Sequence, residues 1–450
     1  MGTYPLLGVA DTGDTAWMLT SSALVLLMTP GLAFFYGGMV SSKNVLNTIM
    51  MSVVSMGIVG VLWSIYGFST VFGDNTFGVI GDPGQFFGLR GLIGSNGTIP
   101  LAGTIPMTVF VAFQLMFAII TVALISGAVA DRLKFRAWVA FSLIWTTVVY
   151  FPVAHWVFDF DVTDAGGSLV HRGGWIVNRL QAIDFAGGTA VHINAGAAGL
   201  ALCIVLGKRK GWPQASSRPH NLPFVMLGAG LMWFGWFGFN AGSAISSNGL
   251  AGSTFLTTTF ATCAAMLGWL LVEQLRDGKP TSLGAASGIV AGLVAITPSC
   301  SSVNVLGALA IGAVAGIACA LAVPLKYSLG FDDTLDVVGV HLVGGLVGTL
   351  MIGLLLVPES GAAQSLNGAR GLFYGGGFSQ LGKQAVGACA VLAFSFAASL
   401  VIAYALKFTI GIRDTEEEEY EGNDESEHAE SAYGPAAAPD TAQSSVGSSA

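Results

Sequence analysis

From Thr15 to Arg413 the chain is built from successive apolar runs of about 20 residues, each long enough for a helix to cross a hydrocarbon core of roughly 30 Å. About eleven such runs are present, at Thr15–Met39, Val45–Phe72, Ile105–Ala130, Arg136–Phe158, Phe185–Gly207, Leu222–Ile245, Ala251–Val272, Ser282–Pro298, Val303–Leu325, Val337–Val357 and Ala385–Ile412. The eighth is short and Gly-rich. Composition agrees: 53% of residues are hydrophobic and 10% charged, against roughly 25% charged in an average soluble domain. An all-α integral membrane protein is expected, and a soluble enzyme or binding domain is excluded.

Charge counting tests the helix number. With the N-terminus outside, the inner loops, inner helix ends and tail collect 13 of the 18 basic residues, and the outer loops hold five, Arg90, Arg172, Arg179, Arg370 and Lys383. The positive-inside rule then favours an outer N-terminus and an inner C-terminus, as an odd helix count requires. The first apolar run has no basic stretch before it, so it reads as a retained helix rather than a cleaved signal. The five cysteines are isolated and form no CxxC, which indicates neither a disulfide framework nor a zinc site. With 26 acidic against 18 basic residues, no nucleic-acid partner is expected, and no cofactor or metal is implied. Asn96-Gly-Thr forms a glycosylation sequon in an outer loop, a short motif of little weight.

Glycine supplies 62 of the 450 residues, about twice average usage, and small residues let membrane helices approach closely. A tight bundle follows. Residues 1–412 read as a transmembrane domain and residues 413–450 as a cytoplasmic tail, acidic at first and then rich in Ala, Pro and Ser. The end of that tail is expected to be disordered; its acidic part reads either as solvated chain or as a docking element.

Two apolar runs carry ionisable groups. DFAGGTAVHINAG opens on Asp184 and places His192 eight residues on; DVVGVHLVGG opens on Asp336 with His341 five residues on. The first enters its helix from outside and the second from inside. Two sets of five helices related by inversion, plus one extra helix, account for this, and such repeats place function near the midplane between the halves. A single intramembrane histidine is often a packed residue with one satisfied hydrogen bond. Two in inversion-related places point instead to a pathway, because neutral imidazole offers one donor and one acceptor nitrogen to a small polar molecule. Each carboxylate sits where it can cap free N–H groups, and Asp184, at an outer mouth, is also placed to attract a cation.

These motifs, with FYGGMVSSKNVLN (Phe35 to Asn47), FQLMFAIITVALISGAVADRLKF and WFGWFGFNAGSA (Trp233 to Ala244), closely resemble the Amt/Mep/Rh family of ammonium transporters, in the family's order and over roughly Asp11 to Tyr433. The resemblance implies an eleven-helix protomer in the cell membrane, assembled as a homotrimer with one pore in each subunit. It also implies that Phe117 and Phe239 are stacked aromatics blocking the pore, that Ser243 contacts the cation at an outer recruitment site with Phe117 and Phe158, and that Asp184 lies near that site. His192 and His341 would be the paired pore histidines, with Trp236 beside them. A PII-class nitrogen-signalling protein on the inner face is the implied partner. Many family members carry Trp where this chain has Phe158, and Phe is the weaker cation–π partner. Trp156, two residues away, points about 200° around the helix. Asp159, Asp161 and Asp164 in the following loop add negative potential or are merely solvated. The expected function is capture of ammonium, its deprotonation and conduction of ammonia; a neutral gas channel of the Rh type and an ammonium sensor are the alternatives.

Overall fold

The computed structural model describes residues 4–94, 97–213, 218–366 and 368–434; Asn96 of the sequon and the tail beyond residue 434 lie outside them. Among the described residues, ten helices are long and apolar enough to cross a membrane. They are α1 (Thr12–Met39), α2 (Val45–Phe72), α3 (Met107–Val129), α4 (Phe135–Phe158), α5 (Gly188–Leu206), α6 (Leu222–Gly242), α7 (Gly249–Asp277), α9 (Val305–Ala322), α10 (Val338–Leu355) and α11 (Ser379–Thr409). The eighth expected span is present as α8, Ser282–Ile296, but its 15 residues rise only about 22 Å, short of a full crossing. It ends where Thr297 begins a run of turns. The expected eleven full-length spans are therefore ten plus one shorter apolar helix.

Small residues set the packing. α1 lies against α6 so closely that a Cβ added to Gly228 would stand 2.4 Å from the Phe35 backbone nitrogen. On α9, a Cβ on Gly312 or Gly316 would meet the Ala261 or Ala265 carbonyl of α7 at 2.1 Å. Where lipid gives no hydrophobic drive for association, this backbone approach maximises dispersion contacts. Four helices, α2, α4, α5 and α10, contain a wide π turn, at Trp63–Gly67, Thr146–Tyr150, Gly188–Ile193 and Val338–Leu342. Such turns cluster at functional sites, and the last two hold the histidines.

The two ends of the bundle differ. One carries short hairpins, including Val162–Thr163 paired with Leu169–His171. The other carries the short loops with most of the basic residues. There the acidic segment forms α12 (Glu416–Glu421), opened by a Thr415/Glu418 capping box, and α13 (Asn423–His428). Both are docked: the Asn423 N–H donates to Asn44 Oδ1 at 2.8 Å, the Asn47 N–H to Asp424 Oδ1 at 2.8 Å, and the Lys210 N–H to Glu419 Oε2 at 3.1 Å. These contacts hold residues 416–428 against the helix bundle.

Candidate functional site

The site begins with how α5 starts. Gly187 takes φ 115°, a left-handed conformation that only glycine adopts without strain, and this winds the chain around the Asp184 side chain. One carboxylate oxygen of Asp184 accepts from the Gly187 and Gly188 N–H groups at 2.8 and 2.6 Å, and the other from Thr189 and Ala190 N–H at 2.7 and 3.2 Å and from the Thr189 hydroxyl. This is the capping role expected of Asp184. The oxygens are occupied by the first turn of the helix that carries His192.

α10 starts in the same way with a different acid. The expected cap, Asp336, instead sits at φ 65° and pairs with Lys326 Nζ at 2.5 Å. The capping carboxylate is Asp333, which accepts from the Val337 and Val338 N–H groups at 3.1 and 2.7 Å. Asp333 precedes His341 by eight residues, as Asp184 precedes His192, and that shared interval was the signal in the sequence that would have found it.

These two helix starts bring His192 and His341 together, Nδ1 to Nδ1 at 3.3 Å with nearly parallel rings. Glycines make the approach possible: a Cβ on Gly196 would lie 2.6 Å from Leu342, and one on Gly345 would lie 3.0 Å from the Gly188 carbonyl. A contact between two Nδ1 atoms requires one to donate and the other to accept, so the neutral pair is complementary. One outer-edge Nε2 then carries a proton and the other a lone pair. His192 is buried, and its Nε2 has no hydrogen-bond partner among the described residues.

Aromatic rings continue the column. Trp236 stacks on His192 at 5.5 Å and donates Nε1–H to Thr297 at 2.8 Å, a fixing partner that sequence reading missed. Phe239, one turn along the same helix, stacks on Phe117 at 4.1 Å and 13°, and both are essentially fully buried. Phe158 meets Phe117 edge-on at 6.0 Å. Ser243, four residues beyond Phe239, donates to the Phe239 carbonyl at 2.8 Å and keeps its oxygen lone pairs free to accept. Of the expected site residues, Phe158, Phe117, Phe239, Trp236, His192 and His341 form one continuous series, Ser243 adjoins it, and Asp184 supports it from behind.

The chain matches the Ammonium Transporter Family model over residues 16–433. It is 68% identical to an ammonium transporter of Mycobacterium tuberculosis over 446 residues, covering 96% of this chain and 92% of that one. Solved structures of the same shape include Mep2 of Saccharomyces cerevisiae, at 32% identity and a TM-score of 0.79 over 90% of this chain and 91% of that one. A protein described as a sensor Amt protein superposes at 30% identity and the same TM-score, over 91% and 96% of the two chains. A match of this length and identity fixes the assignment: the chain belongs to the ammonium transporter family, a family of multi-pass membrane transporters and not of enzymes.

Proposed function

We propose that this ammonium transporter captures ammonium at Phe117, Phe158 and Ser243, strips one proton from it and conducts ammonia past Phe239, Trp236, His192 and His341. A cation is attracted to π faces and to oxygen acceptors, which is what those first three residues offer. The observation that carries the reading is the stacked Phe117–Phe239 pair standing directly before a buried, proton-sharing histidine pair. Moving an intact ion through that column costs tens of kcal/mol in the Born limit, whereas a neutral amine costs far less. Deprotonation leaves the electron pair of the broken N–H bond on nitrogen and hands the proton to water at the outer site. Ammonia then has a lone pair for an imidazole N–H and hydrogens for an imidazole lone pair, and the complementary edges of His192 and His341 supply both.

In the same reading the N-terminus and the hairpin end face outward at the cell membrane, and the tail faces the cytoplasm. α1–α5 and α6–α10 are inverted halves, α11 is the extra helix that makes eleven, and three chains assemble as a homotrimer. Pairing Asp184 with Asp333 and His192 with His341 supports the inversion. A PII-class signalling protein is the proposed cytoplasmic partner.

Current, ammonium uptake and potassium flux measured together in proteoliposomes test the mechanism. Potassium resembles ammonium in size but has no proton to release, so it is expected to bind outside without crossing. Potassium passing at a rate comparable to ammonium would overturn the deprotonation step in favour of a plain cation channel. Uptake that tracks ammonia concentration alone, with no saturable dependence on ammonium, would favour the neutral gas channel.

A further inference from the structure

Beside the aromatic series lies a cavity of about 580 Å³ that shares Phe158 with it as a common wall. Tyr4, Phe72 and Phe110 supply aromatic surface, and Asp159 and Asp161 line the same space. Asp159 is 2% exposed, and a polar group that deeply buried needs hydrogen-bond partners. Its oxygens face His171 Nε2 at 2.9 and 3.0 Å, and the other nitrogen of that ring faces Asp74 at 2.7 Å. With a carboxylate at each nitrogen, both contacts are satisfied only when His171 donates from both, as an imidazolium.

Other groups fit that assignment. His155 Nδ1 stands 3.3 Å from Asp159 Oδ2 and also contacts the Val71 carbonyl at 2.7 Å, and the Tyr4 ring stacks on His171 at 4.1 Å. Burial of His171 works against its charge, but Asp159 and Asp74 outweigh it and hold its pKa above the ordinary histidine value. Two carboxylates on one imidazolium leave a net negative charge fixed in place. Asp161, which accepts from the Gly173 N–H at 2.7 Å, adds another. The hairpin that ends at His171 thus holds negative charge at the cavity wall next to Phe158.

We propose that Asp159, fixed by His171, is a cation-attracting residue of the outer recruitment site, with Asp161 as its second charge, and that it supplies electrostatically what Phe158 lacks as a cation–π partner. The inference rests on the reading of Phe117, Phe158 and Ser243 as that site. The ligand is a small ammonium-type cation. The two carboxylates raise its local concentration, so removing one is expected to weaken capture more than it slows the maximal rate.

The test is initial ammonium uptake against external concentration in proteoliposomes, with folding checked by thermal melting in detergent. Asp159→Asn is expected to raise the half-saturation concentration roughly 3- to 10-fold, Asp161→Asn less, and Asp159→Glu to restore much of the loss. Raising ionic strength with N-methylglucamine chloride is expected to weaken capture in the unaltered protein more than in Asp159→Asn. Ser243→Ala separates the two levels of the argument. If it raises half-saturation while well-folded Asp159→Asn and Asp161→Asn leave it unchanged, the inference is wrong and the site reading stands. If none of the three variants moves it, both fail. Should Asp159→Asn not fold, Asp161→Asn and the salt series decide, and indifference to both overturns the proposal.

Discussion

The starts of α5 and α10 solve one geometric problem with different residues. In both, an aspartate accepts from the first backbone N–H groups, a left-handed residue follows three positions later, a π turn comes next, and a histidine stands eight positions after the aspartate. In α5 the left-handed residue is Gly187, and the chain closes around Asp184 tightly enough to give it five donors. In α10 it is Asp336, and Asp333 receives two backbone donors while Lys326 bridges the Asp333 carbonyl and the Asp336 side chain. Aspartate tolerates the left-handed region better than most residues, and the ion pair offsets the remaining cost of roughly 1–2 kcal/mol. Equivalence between the two helix starts is therefore a matter of backbone path, and a comparison of residue types alone misses it.

The largest effect that would break this equivalence is loss of an anchor. Asp184→Ala is expected to destabilise the protein by about 3–5 kcal/mol, because four N–H groups and a hydroxyl lose their acceptor at once. Asp333→Ala is expected to cost about 2–3 kcal/mol, with two donors lost, whereas Asp336→Gly, which removes the strain together with the ion pair, is expected to stay within about 1 kcal/mol. Melting of the three variants in detergent ranks them. Should Asp336→Gly prove the most damaging, Asp336 and not Asp333 is the true counterpart of Asp184.

Next in size is the histidine pair of the proposed pathway. His192→Ala and His341→Ala are each expected to lower ammonium uptake by about tenfold or to admit potassium, while Cys203→Ala, a substitution beneath the column, changes little; loss of one hydrogen-bonding edge is worth about that factor. Comparable defects in the two histidine variants sharpen the pairing. Normal uptake and selectivity in both would make them structural.

The smallest effect expected is at the tail, where charge is handled in the opposite way to the hairpin end. His171 sits between acids, whereas Asp414 sits among them. Burial, with Glu427 and Glu418 nearby, pushes Asp414 up to about 7 although the Asn423 side-chain amide Nδ2 donates to it at 2.6 Å, and Arg413 is already paired with Glu419. Because the docked value lies above the ordinary carboxylate value, the protonated form favours docking. That contribution is complete below about pH 4 and fades as pH rises through about 7. Proteolysis of the tail between pH 6 and 8 is expected to speed up severalfold beyond the protease's own pH response, and Asp414→Asn to flatten the trend.

How much of this was legible follows the same lines. Hydropathy marked the ten spans and α8, because a run of about 20 apolar residues is a local property of the chain. It overstated α8, whose apolar pattern continues into the turns at Thr297 and Ser299. The resemblance named Phe117, Phe239, Trp236 and both histidines, since each lies in a contiguous motif. It did not reveal Asp333 or Lys326, which lie just before the motif that opens at Asp336, or the His171 cluster, whose partners Asp74 and Asp159 come from separate segments.

By itself the sequence determined that this chain is a helical membrane protein of the ammonium transporter kind, because apolar run length, basic-residue bias and contiguous motifs are all written along one dimension. Only the tertiary structure decided that Asp333 and not Asp336 anchors the helix carrying His341, that the two histidines meet through Nδ1, and that Asp159 is paired with His171 beside Phe158. Those outcomes depend on left-handed turns and on close approach at glycines between distant segments. The eight-residue interval from each aspartate to its histidine is the one trace of these starts noted in the sequence, and it does not record the approaches between segments.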